Sequence, residues 1–294
     1  MTRPNLSDNS WRMSWKEPVA SGQLAVITGG SSGLGLGLVR ACLERGMRVV
    51  FTYRTEAHRD EALELLGSEA PVEALPLEVQ HREAVVELAR RVEQRWGTPR
   101  LVVANAGVGF KTPAHLASPE DWELSLGVNF FGVLHTIQAF LPGLLARSSG
   151  YLAATASMSG LFPGGNSGVY TTSKFAVVGL MESLRGELAG RGVGISLICP
   201  GMVQGRIRDP QRSGQASSPH GMDAVQCARQ VLRGVERQDL YVLTHPEFRA
   251  GLQERHQLLE RSFPPLEEPQ EWWQLEQPVL RYPPYGEALK RRAD

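Results

Sequence analysis

Two side chains in this sequence, Tyr170 and Lys174, have the chemical types and the four-residue spacing that proton transfer needs. Residues four positions apart on a helix lie on one face, so the lysine ammonium would stand beside the phenol. A nearby positive charge favours the phenolate, and we therefore expect the pKa of Tyr170 to fall from its ordinary value of about 10 toward neutral pH. The pair predicts a general acid or base.

A serine lies upstream of this pair, at the end of a predicted strand. Ser157 closes the apolar run YLAATAS at 151–157. Open α/β sheets bind their ligands at the carboxyl ends of parallel strands, so the Ser157 hydroxyl is expected at such a site. There it can hydrogen-bond an oxygen atom on which negative charge develops.

A glycine-rich turn, TGGSSGLG at 28–35, follows the first strand-like run and opens directly into a helix. Backbone N–H groups at a helix N-terminus bind phosphate, and positions without a Cβ let a pyrophosphate approach them. Gly29 and Gly33 meet this need, while Gly35 lets the helix pack close to the strand. The turn predicts a dinucleotide site.

The same turn also matches the nucleophile elbow of serine hydrolases, because it contains Gly29-x-Ser31-x-Gly33. In that fold several strands precede the nucleophile, and an upstream loop supplies half of the oxyanion hole. Here only a polar segment precedes the turn. We therefore set the hydrolase interpretation aside.

These residues must be positioned by a larger framework, and the sequence supplies one. Apolar runs alternate with amphipathic stretches, which predicts right-handed βα crossovers and a doubly wound, mostly parallel α/β sheet. The predicted strands are 24–28, 48–53, 72–79, 101–107, 151–157, 194–200 and 240–244. The predicted helices are 37–46, 56–66, 82–96, 122–145, 170–190, 223–236 and 247–262. Residues 201–222, rich in Gly, Ser and Pro, predict a long loop beside the last strands.

Composition excludes several classes of protein. The 294 residues carry 31 basic and 31 acidic side chains, and 42% are hydrophobic. This balance argues against wholesale disorder and against nucleic-acid binding. No unbroken apolar run reaches the ~18 residues of a membrane span, and no signal peptide is visible, so we expect no membrane partner and a cytoplasmic protein. The three cysteines and seven histidines show no metal-ligand spacing, so no metal is expected.

The motifs together resemble those of the classical short-chain dehydrogenase/reductase family over roughly residues 22–245. The family elements appear in order: TGxxxGxG from Thr28, Asn105-Ala106-Gly107, Asn129, Ser157, Tyr170 with Lys174, and Pro200-Gly201. The resemblance implies a Rossmann-type, seven-stranded sheet in a single catalytic domain at 23–245. A polar leader would precede it at 1–22, and a C-terminal helix with a Pro/aromatic-rich tail would follow at 246–294. A homodimer or homotetramer is expected.

The resemblance also implies a role for each matching residue. Tyr170 would exchange a proton with the substrate oxygen, and Lys174 would lower the pKa of the tyrosine and hold the nicotinamide ribose. Ser157 would hydrogen-bond the reacting oxygen, and Asn129 would hold a water that connects Lys174 to solvent. The implied cofactor-binding residues are Gly29, Ser31, Ser32, Gly33, Leu34, Tyr53, Arg54, Glu78, Val79, Asn105, Ala106, Gly107, Tyr170, Lys174, Pro200, Gly201 and Val203.

The second predicted strand bears on the choice of coenzyme. An NAD-dependent enzyme places an acidic residue at its end, on the ribose 2′-hydroxyl. Here Tyr53 and Arg54 stand there instead. A guanidinium can bind a 2′-phosphate in a bidentate manner, so NADP(H) is expected rather than NAD(H). Two further positions depart from the family pattern, since Glu78 replaces the usual Asp and Gly205 replaces the Thr of PGxVxT.

The implied activity is reduction of a carbonyl to a secondary alcohol, or the reverse reaction, on a small-molecule substrate. Residues 241–260 resemble a subgroup that includes bacterial Cα-dehydrogenases acting on lignin-derived aryl ethers, which suggests a bulky, aromatic or hydrophobic substrate. Phe162, Trp122 and the 202–222 segment are candidates for its pocket. Two alternatives remain open: an isomerase or epimerase that uses the same tyrosine, and a non-catalytic, cofactor-sensing binding protein.

Overall fold

The computed structural model describes residues 21–205 and 221–265. Most of the predicted leader, the middle of the predicted 201–222 loop and the Pro/aromatic-rich tail lie outside the described residues. The described strands are β1 Leu24–Ile27, β2 Arg48–Tyr53, β3 Val72–Pro76, β4 Leu101–Ala104, β5 Gly150–Thr155, β6 Val193–Cys199 and β7 Tyr241–Leu243.

These strands form one sheet in the order β3-β2-β1-β4-β5-β6-β7, and every neighbouring pair is parallel. Strand order reverses between β1 and β4, which is where open α/β sheets form their ligand crevice. The predicted Rossmann-type, doubly wound fold is therefore confirmed. Several strands end earlier than predicted, because their last residues turn out of the sheet toward this crevice.

The helices flank the sheet. They are α1 Gly33–Leu43, α2 Glu56–Leu66, α3 Arg82–Trp96, α4 Pro119–Leu126, α5 Gly132–Arg147, α6 Gly168–Glu187, α7 Ala224–Glu236 and α8 Arg249–Arg261. The helix α1 begins at Gly33, four residues before the predicted 37–46, because the glycine turn leads straight into its first turn. The predicted helix 122–145 is two helices, α4 and α5, joined by the π-helical turn Gly127–Phe131.

Apolar side chains fill the space on both faces of the sheet. Val26, Val102 and Leu152 belong to the core on one face, while Ile27 and Val103 belong to the core on the other. Successive strand residues point to opposite faces, so a strand covered by helices on both sides must be apolar throughout. This accounts for the unbroken apolar runs in the sequence.

The continuous helical stretch Pro119–Arg147 is long and apolar enough to cross a membrane, judged by length and composition. No such stretch is expected from the sequence, because polar residues interrupt it and hide the high mean hydropathy. Its side chains Val133, Ile137 and Phe140 are buried in the core beside the sheet. This packing assigns the stretch to the α/β domain.

Candidate active site

A cavity of about 760 Å³ lies along the carboxyl ends of the strands. Its volume falls in the range of small-molecule and cofactor sites. The residues predicted to bind cofactor all line it: Gly29, Ser31, Ser32, Gly33, Leu34, Tyr53, Arg54, Glu78, Val79, Asn105, Ala106, Gly107, Tyr170, Lys174, Pro200, Gly201 and Val203. Ser157 lines it as well, whereas Asn129 stands behind the wall.

The glycine turn forms one end of this cavity, and close backbone packing holds it there. Gly29 has a φ of +64°, and a Cβ at this position would lie 2.8 Å from the Ala106 Cα. The Thr28 Oγ1 accepts hydrogen bonds from the N–H groups of Asn105 (2.9 Å) and Ala106 (3.1 Å). The turn after β1 and the Asn-Ala-Gly segment after β4 are thus one bonded unit.

The N-terminus of α1 faces the cavity without a side-chain cap. Ser32 is the N-cap residue in an extended conformation, and its hydroxyl makes no capping hydrogen bond. First-turn N–H groups have no partner within their helix and carry partial positive charge. The glycine turn leaves no room for a Cβ at Gly29 and leads into the uncapped N-terminus of α1. This arrangement fits a dinucleotide pyrophosphate. The residues present therefore suit the cofactor that the motifs imply.

Tyr170 and Lys174 lie on one face of α6, as predicted. The Lys174 Nζ is 5.6 Å from the centre of the Tyr170 ring and donates a 2.9 Å hydrogen bond to the Thr155 carbonyl at the end of β5. Lys174 is fully buried, and Ser157 is also buried. The Ser157 side chain hydrogen-bonds the Tyr170 phenol. The three predicted side chains thus meet at the carboxyl edge of the sheet.

The expected fall in the pKa of Tyr170 is wrong for this structure. The pKa is raised above its ordinary value, because burial disfavours the phenolate more strongly than the hydrogen bond from Ser157 favours it. Burial also lowers the pKa of Lys174 to about 8. The buried lysine is thus a weaker source of positive charge than the sequence suggests, and a protonated phenol is the favoured form of Tyr170.

Asn129 occupies the π-helical turn between α4 and α5 and is fully buried. Its Oδ1 accepts from the Val108 N–H (2.8 Å), and its Nδ2 donates to the Val108 carbonyl (2.9 Å) and the Ser173 Oγ (3.0 Å). The side chain therefore joins the segment after β4 to α6, next to Lys174. One lone pair of the Oδ1 is used by the Val108 N–H, and the predicted contact between Asn129 and a water stays a prediction.

Comparison with known proteins decides the family. A family model for short chain dehydrogenase matches residues 23–216. The chain belongs to the short-chain dehydrogenase family. Among curated proteins it is 29% identical to a C alpha-dehydrogenase of Sphingobium sp. over 267 residues, which cover 83% of this chain and 88% of that relative.

Solved structures of similar proteins contain both forms of the coenzyme. A short-chain dehydrogenase/reductase from Burkholderia phymatum, in complex with NAD, is 29% identical with a TM-score of 0.77, covering 85% of this chain and 98% of that one. A metagenomic short-chain oxidoreductase in complex with NADP is 27% identical with a TM-score of 0.65, covering 77% and 98% of the two chains. Similar proteins thus bind a nicotinamide dinucleotide, and similarity alone leaves the choice between the two open.

In this short-chain dehydrogenase the end of β2 carries no carboxylate toward the cavity. The Tyr53 hydroxyl donates to Glu56 (3.1 Å), which itself pairs with Arg59 on the same helix. Arg54 lines the cavity and is exposed. Its guanidinium has no hydrogen-bond or ion-pair partner within residues 21–205 and 221–265. The Thr52 hydroxyl accepts from the Gly29 N–H (3.0 Å) and so ties this strand to the glycine turn.

The two departures from the family pattern have different structural outcomes. Glu78 lines the cavity half-exposed, beside Gln80 and His81, so the longer acidic side chain is accommodated. Gly205 has a φ of +153°, and a Cβ there would overlap the Gly33 Cα. A threonine at 205 would therefore collide with the glycine turn, because the segment after β6 crosses the cavity at this point.

The cavity is also lined by residues outside the family motifs, and two of them, Met202 and Gln204, fall in the 202–222 segment that the sequence proposed for the pocket. Phe110, Met158, Met202 and Phe248 supply apolar wall. Lys111, Asn166 and Gln204 are polar residues of this lining. Phe162 and Trp122, both considered from the sequence, do not line it, and Phe162 contacts Gly251 of α8 instead. The sequence signal that could have indicated Phe248 is its position just after β7, behind His245-Pro246, because ligand sites lie at the carboxyl ends of the strands.

Proposed function

We propose that this short-chain dehydrogenase is an NADP(H)-dependent oxidoreductase that reduces a carbonyl to a secondary alcohol, or catalyses the reverse reaction, on a bulky, aromatic or hydrophobic small molecule. The observation that carries the proposal is the meeting of Ser157, Tyr170 and Lys174 at one end of a cavity whose other end is an uncapped glycine turn. The proton-transfer group and the dinucleotide cradle thus share one space.

The preference for NADP(H) rests on Arg54. Its guanidinium has no partner among residues 21–205 and 221–265, and Arg54 directly follows Tyr53, the position at which a carboxylate would select the ribose 2′-hydroxyl. Glu56 is engaged by Tyr53 and Arg59. A planar guanidinium pairs well with a phosphate, whereas a carboxylate would repel it. The phosphorylated ribose is therefore the form that this end of the cavity favours.

The buried side chains account for the chemistry on the substrate oxygen. A bound nicotinamide coenzyme would supply or accept the hydride. Tyr170, whose raised pKa keeps it protonated, donates its proton to the oxygen of the carbonyl substrate as reduction proceeds. The Ser157 hydroxyl hydrogen-bonds the same oxygen and stabilises the charge that develops on it. Lys174 donates to the Thr155 carbonyl, stands 5.6 Å from the centre of the Tyr170 ring, and would hold the nicotinamide ribose.

The substrate class rests on the apolar wall around the reacting side chains. Phe110, Met158, Met202 and Phe248 line the same cavity as Tyr170, and Met and aromatic side chains adapt well to large apolar groups. A C alpha-dehydrogenase is among the relatives, and the resemblance of residues 241–260 to such enzymes supports this class. Small aliphatic ketones would leave much of this wall uncovered.

An activity assay tests the proposal directly. Purified protein is incubated with NADPH and either acetophenone or acetone, and both loss of NADPH absorbance and formation of alcohol are followed. We expect NADPH loss and alcohol formation in equal amounts, with the aryl ketone preferred in kcat/KM. Preference for acetone would refute the substrate class. Conversion of a substrate without NADPH loss would favour an isomerase, and NADPH binding without any conversion would favour a cofactor-sensing protein.

Assembly and location form the remaining part of the proposal. We expect a catalytic domain spanning 23–245 that acts in the cytoplasm as a homodimer or homotetramer. Phe131, directly before α5, is an exposed aromatic residue that stacks on His135, and an exposed apolar side chain of this kind suits self-association. Light scattering on the purified protein would give a mass of two or four chains, and a monomer would contradict the expectation.

A further inference from the structure

A buried histidine stands directly after β7, outside the catalytic set. His245 is only 6% exposed and bonds through both ring nitrogens. Its Nδ1 lies 3.0 Å from the Gly201 amide nitrogen and 2.8 Å from the Thr244 Oγ1. Its Nε2 lies 2.9 Å from the Met202 carbonyl oxygen. The ring thus holds two successive residues of the segment that follows β6.

These partners determine which ring nitrogen accepts and which donates. The Gly201 amide can only donate, so the Nδ1 must be an unprotonated acceptor. The Met202 carbonyl can only accept, so the Nε2 must carry the proton. The Thr244 hydroxyl then donates to Nδ1 and accepts in turn from the Cys227 thiol at 3.6 Å. The His245 ring therefore presents one acceptor and one donor, and both point at the same segment.

Packing reinforces these bonds. A Cβ on Gly201 would lie 2.7 Å from the His245 ring and 2.8 Å from the Phe248 ring, so Gly201 lies directly on both aromatic rings. The two rings stand edge to face with centres 6.5 Å apart. Gly201 and Phe248 both line the cavity. The glycine of the Pro-Gly motif is thus required by two residues from the C-terminal part of the chain.

The held segment continues along the cavity. The Met202 carbonyl also accepts from the Met222 N–H (2.9 Å), and the Met222 carbonyl accepts from the Gln204 N–H (3.0 Å). Residues 201–205 all line the cavity, and Gly205 reaches the glycine turn. A shift of the backbone at Gly201 and Met202 would therefore move one whole side of the site.

We propose that His245 is a positioning residue that fixes the backbone of Gly201 and Met202 and thereby shapes the coenzyme and substrate side formed by 201–205. This inference rests on the proposed function for its link to coenzyme binding, but the hydrogen-bond arrangement stands on its own. The Nδ1 bond holds Gly201, and the Nε2 bond holds Met202. Removing either bond releases a different residue.

Three substitutions separate these bonds. His245→Asn keeps an acceptor near the Nδ1 position, His245→Gln keeps a donor near the Nε2 position, and His245→Ala keeps neither. The matched control is His256→Ala on α8, where the histidine is exposed. The measurements are hydrogen–deuterium exchange resolved to the Gly201 amide, the dissociation constant of NADPH from nucleotide fluorescence, and the melting temperature.

The expected pattern is specific. Exchange of the Gly201 amide speeds up roughly tenfold or more in the Ala and Gln variants and stays near the native rate in the Asn variant, since a lost hydrogen bond has an effect of about this size. NADPH affinity falls roughly tenfold in the Ala variant and by less in the other two. The control changes neither quantity.

Other outcomes overturn the proposal. Native Gly201 exchange in the Ala and Gln variants would show that the ring does not hold this amide. Equal exchange in the Asn and Gln variants, with a common drop in melting temperature, would mean that His245 is only a core residue. If the Ala variant does not fold, the Asn and Gln comparison still decides. If native protein binds no NADPH, the proposed function fails, while amide exchange still tests the arrangement.

Discussion

Replacement of the buried Lys174 by methionine should make the stability of the protein respond to pH in a way that the structure predicts. Burial lowers the pKa of Lys174 from 10.5 to about 8, so the folded state disfavours its charged form. The unfolded chain binds the proton more readily, which means that the native lysine reduces stability wherever it is charged. Stability of the native protein therefore rises as pH increases between these two pKa values.

The size of the effect follows from the linkage relation. With pKa values of about 8 and 10.5, the native lysine destabilises by about 3 kcal/mol at about pH 7.5 and by about 1 kcal/mol at about pH 9.5. Methionine has no charge to bury, and the Thr155 carbonyl that it leaves unpaired adds a cost that does not change with pH. Between these two pH values the unfolding free energy of the native protein should thus rise by about 2 kcal/mol relative to that of Lys174→Met.

Urea unfolding followed by tryptophan fluorescence measures this difference at the two pH values. Groups common to both proteins cancel in the comparison. The matched control is Lys111→Met, because Lys111 is an exposed lysine that lines the same cavity. The difference in unfolding free energy between this variant and native protein should not change with pH. If the difference in unfolding free energy between native protein and Lys174→Met stays constant across this pH interval, the argument that burial lowers the pKa of Lys174 is refuted.

Three further predictions concern the site itself. Tyr170→Phe should lower the turnover number by ~10²–10⁴-fold, since it removes the proton donor, while the dissociation constant for NADPH stays within about twofold; near-native turnover would sink the assignment. Arg54→Ala should weaken NADPH binding by roughly tenfold to a hundredfold and leave NADH binding unchanged, because only the 2′-phosphate meets the guanidinium. Fluorescence titration measures both affinities. An equal loss of affinity for NADPH and NADH would contradict this role of Arg54. Gly205→Ala should lower the free energy of unfolding by ~1–3 kcal/mol and weaken NADPH binding, because the new Cβ would overlap Gly33. The control Gly179→Ala, which has open space around the new Cβ, should change neither free energy by more than ~1 kcal/mol. Similar results for the two variants would argue against the close approach of Gly205 to Gly33.

Much of the framework was accessible from the sequence because each signal there is local. Buried parallel strands require apolar residues on both faces, and the run at 48–53 coincides with β2. The glycine turn and the Tyr-Lys pair depend only on nearby spacing. Their meeting in one cavity follows from the rule that ligand sites lie at the carboxyl ends of the strands.

The remaining features depend on contacts between distant parts of the chain. The raised pKa of Tyr170 comes from burial by the whole domain, which no local pattern reports. The Asn129 side chain binds residues 21 and 44 positions away. In the sequence His245 is one of seven histidines without metal-ligand spacing, and only the folded chain brings it against Gly201. Gly205 looks like a lost threonine in the motif, and its contact with Gly33 becomes visible only in three dimensions.

The central claim is that one cavity joins an NADP(H) site to a proton-donating tyrosine. Parallel fluorescence titrations of the purified protein with NADPH and NADH test it most directly. The account predicts saturable binding of NADPH with a dissociation constant at least tenfold lower than that of NADH, as expected for an added phosphate–guanidinium contact. Tighter binding of NADH would contradict the role given to Arg54, and binding of neither nucleotide would contradict the claim itself.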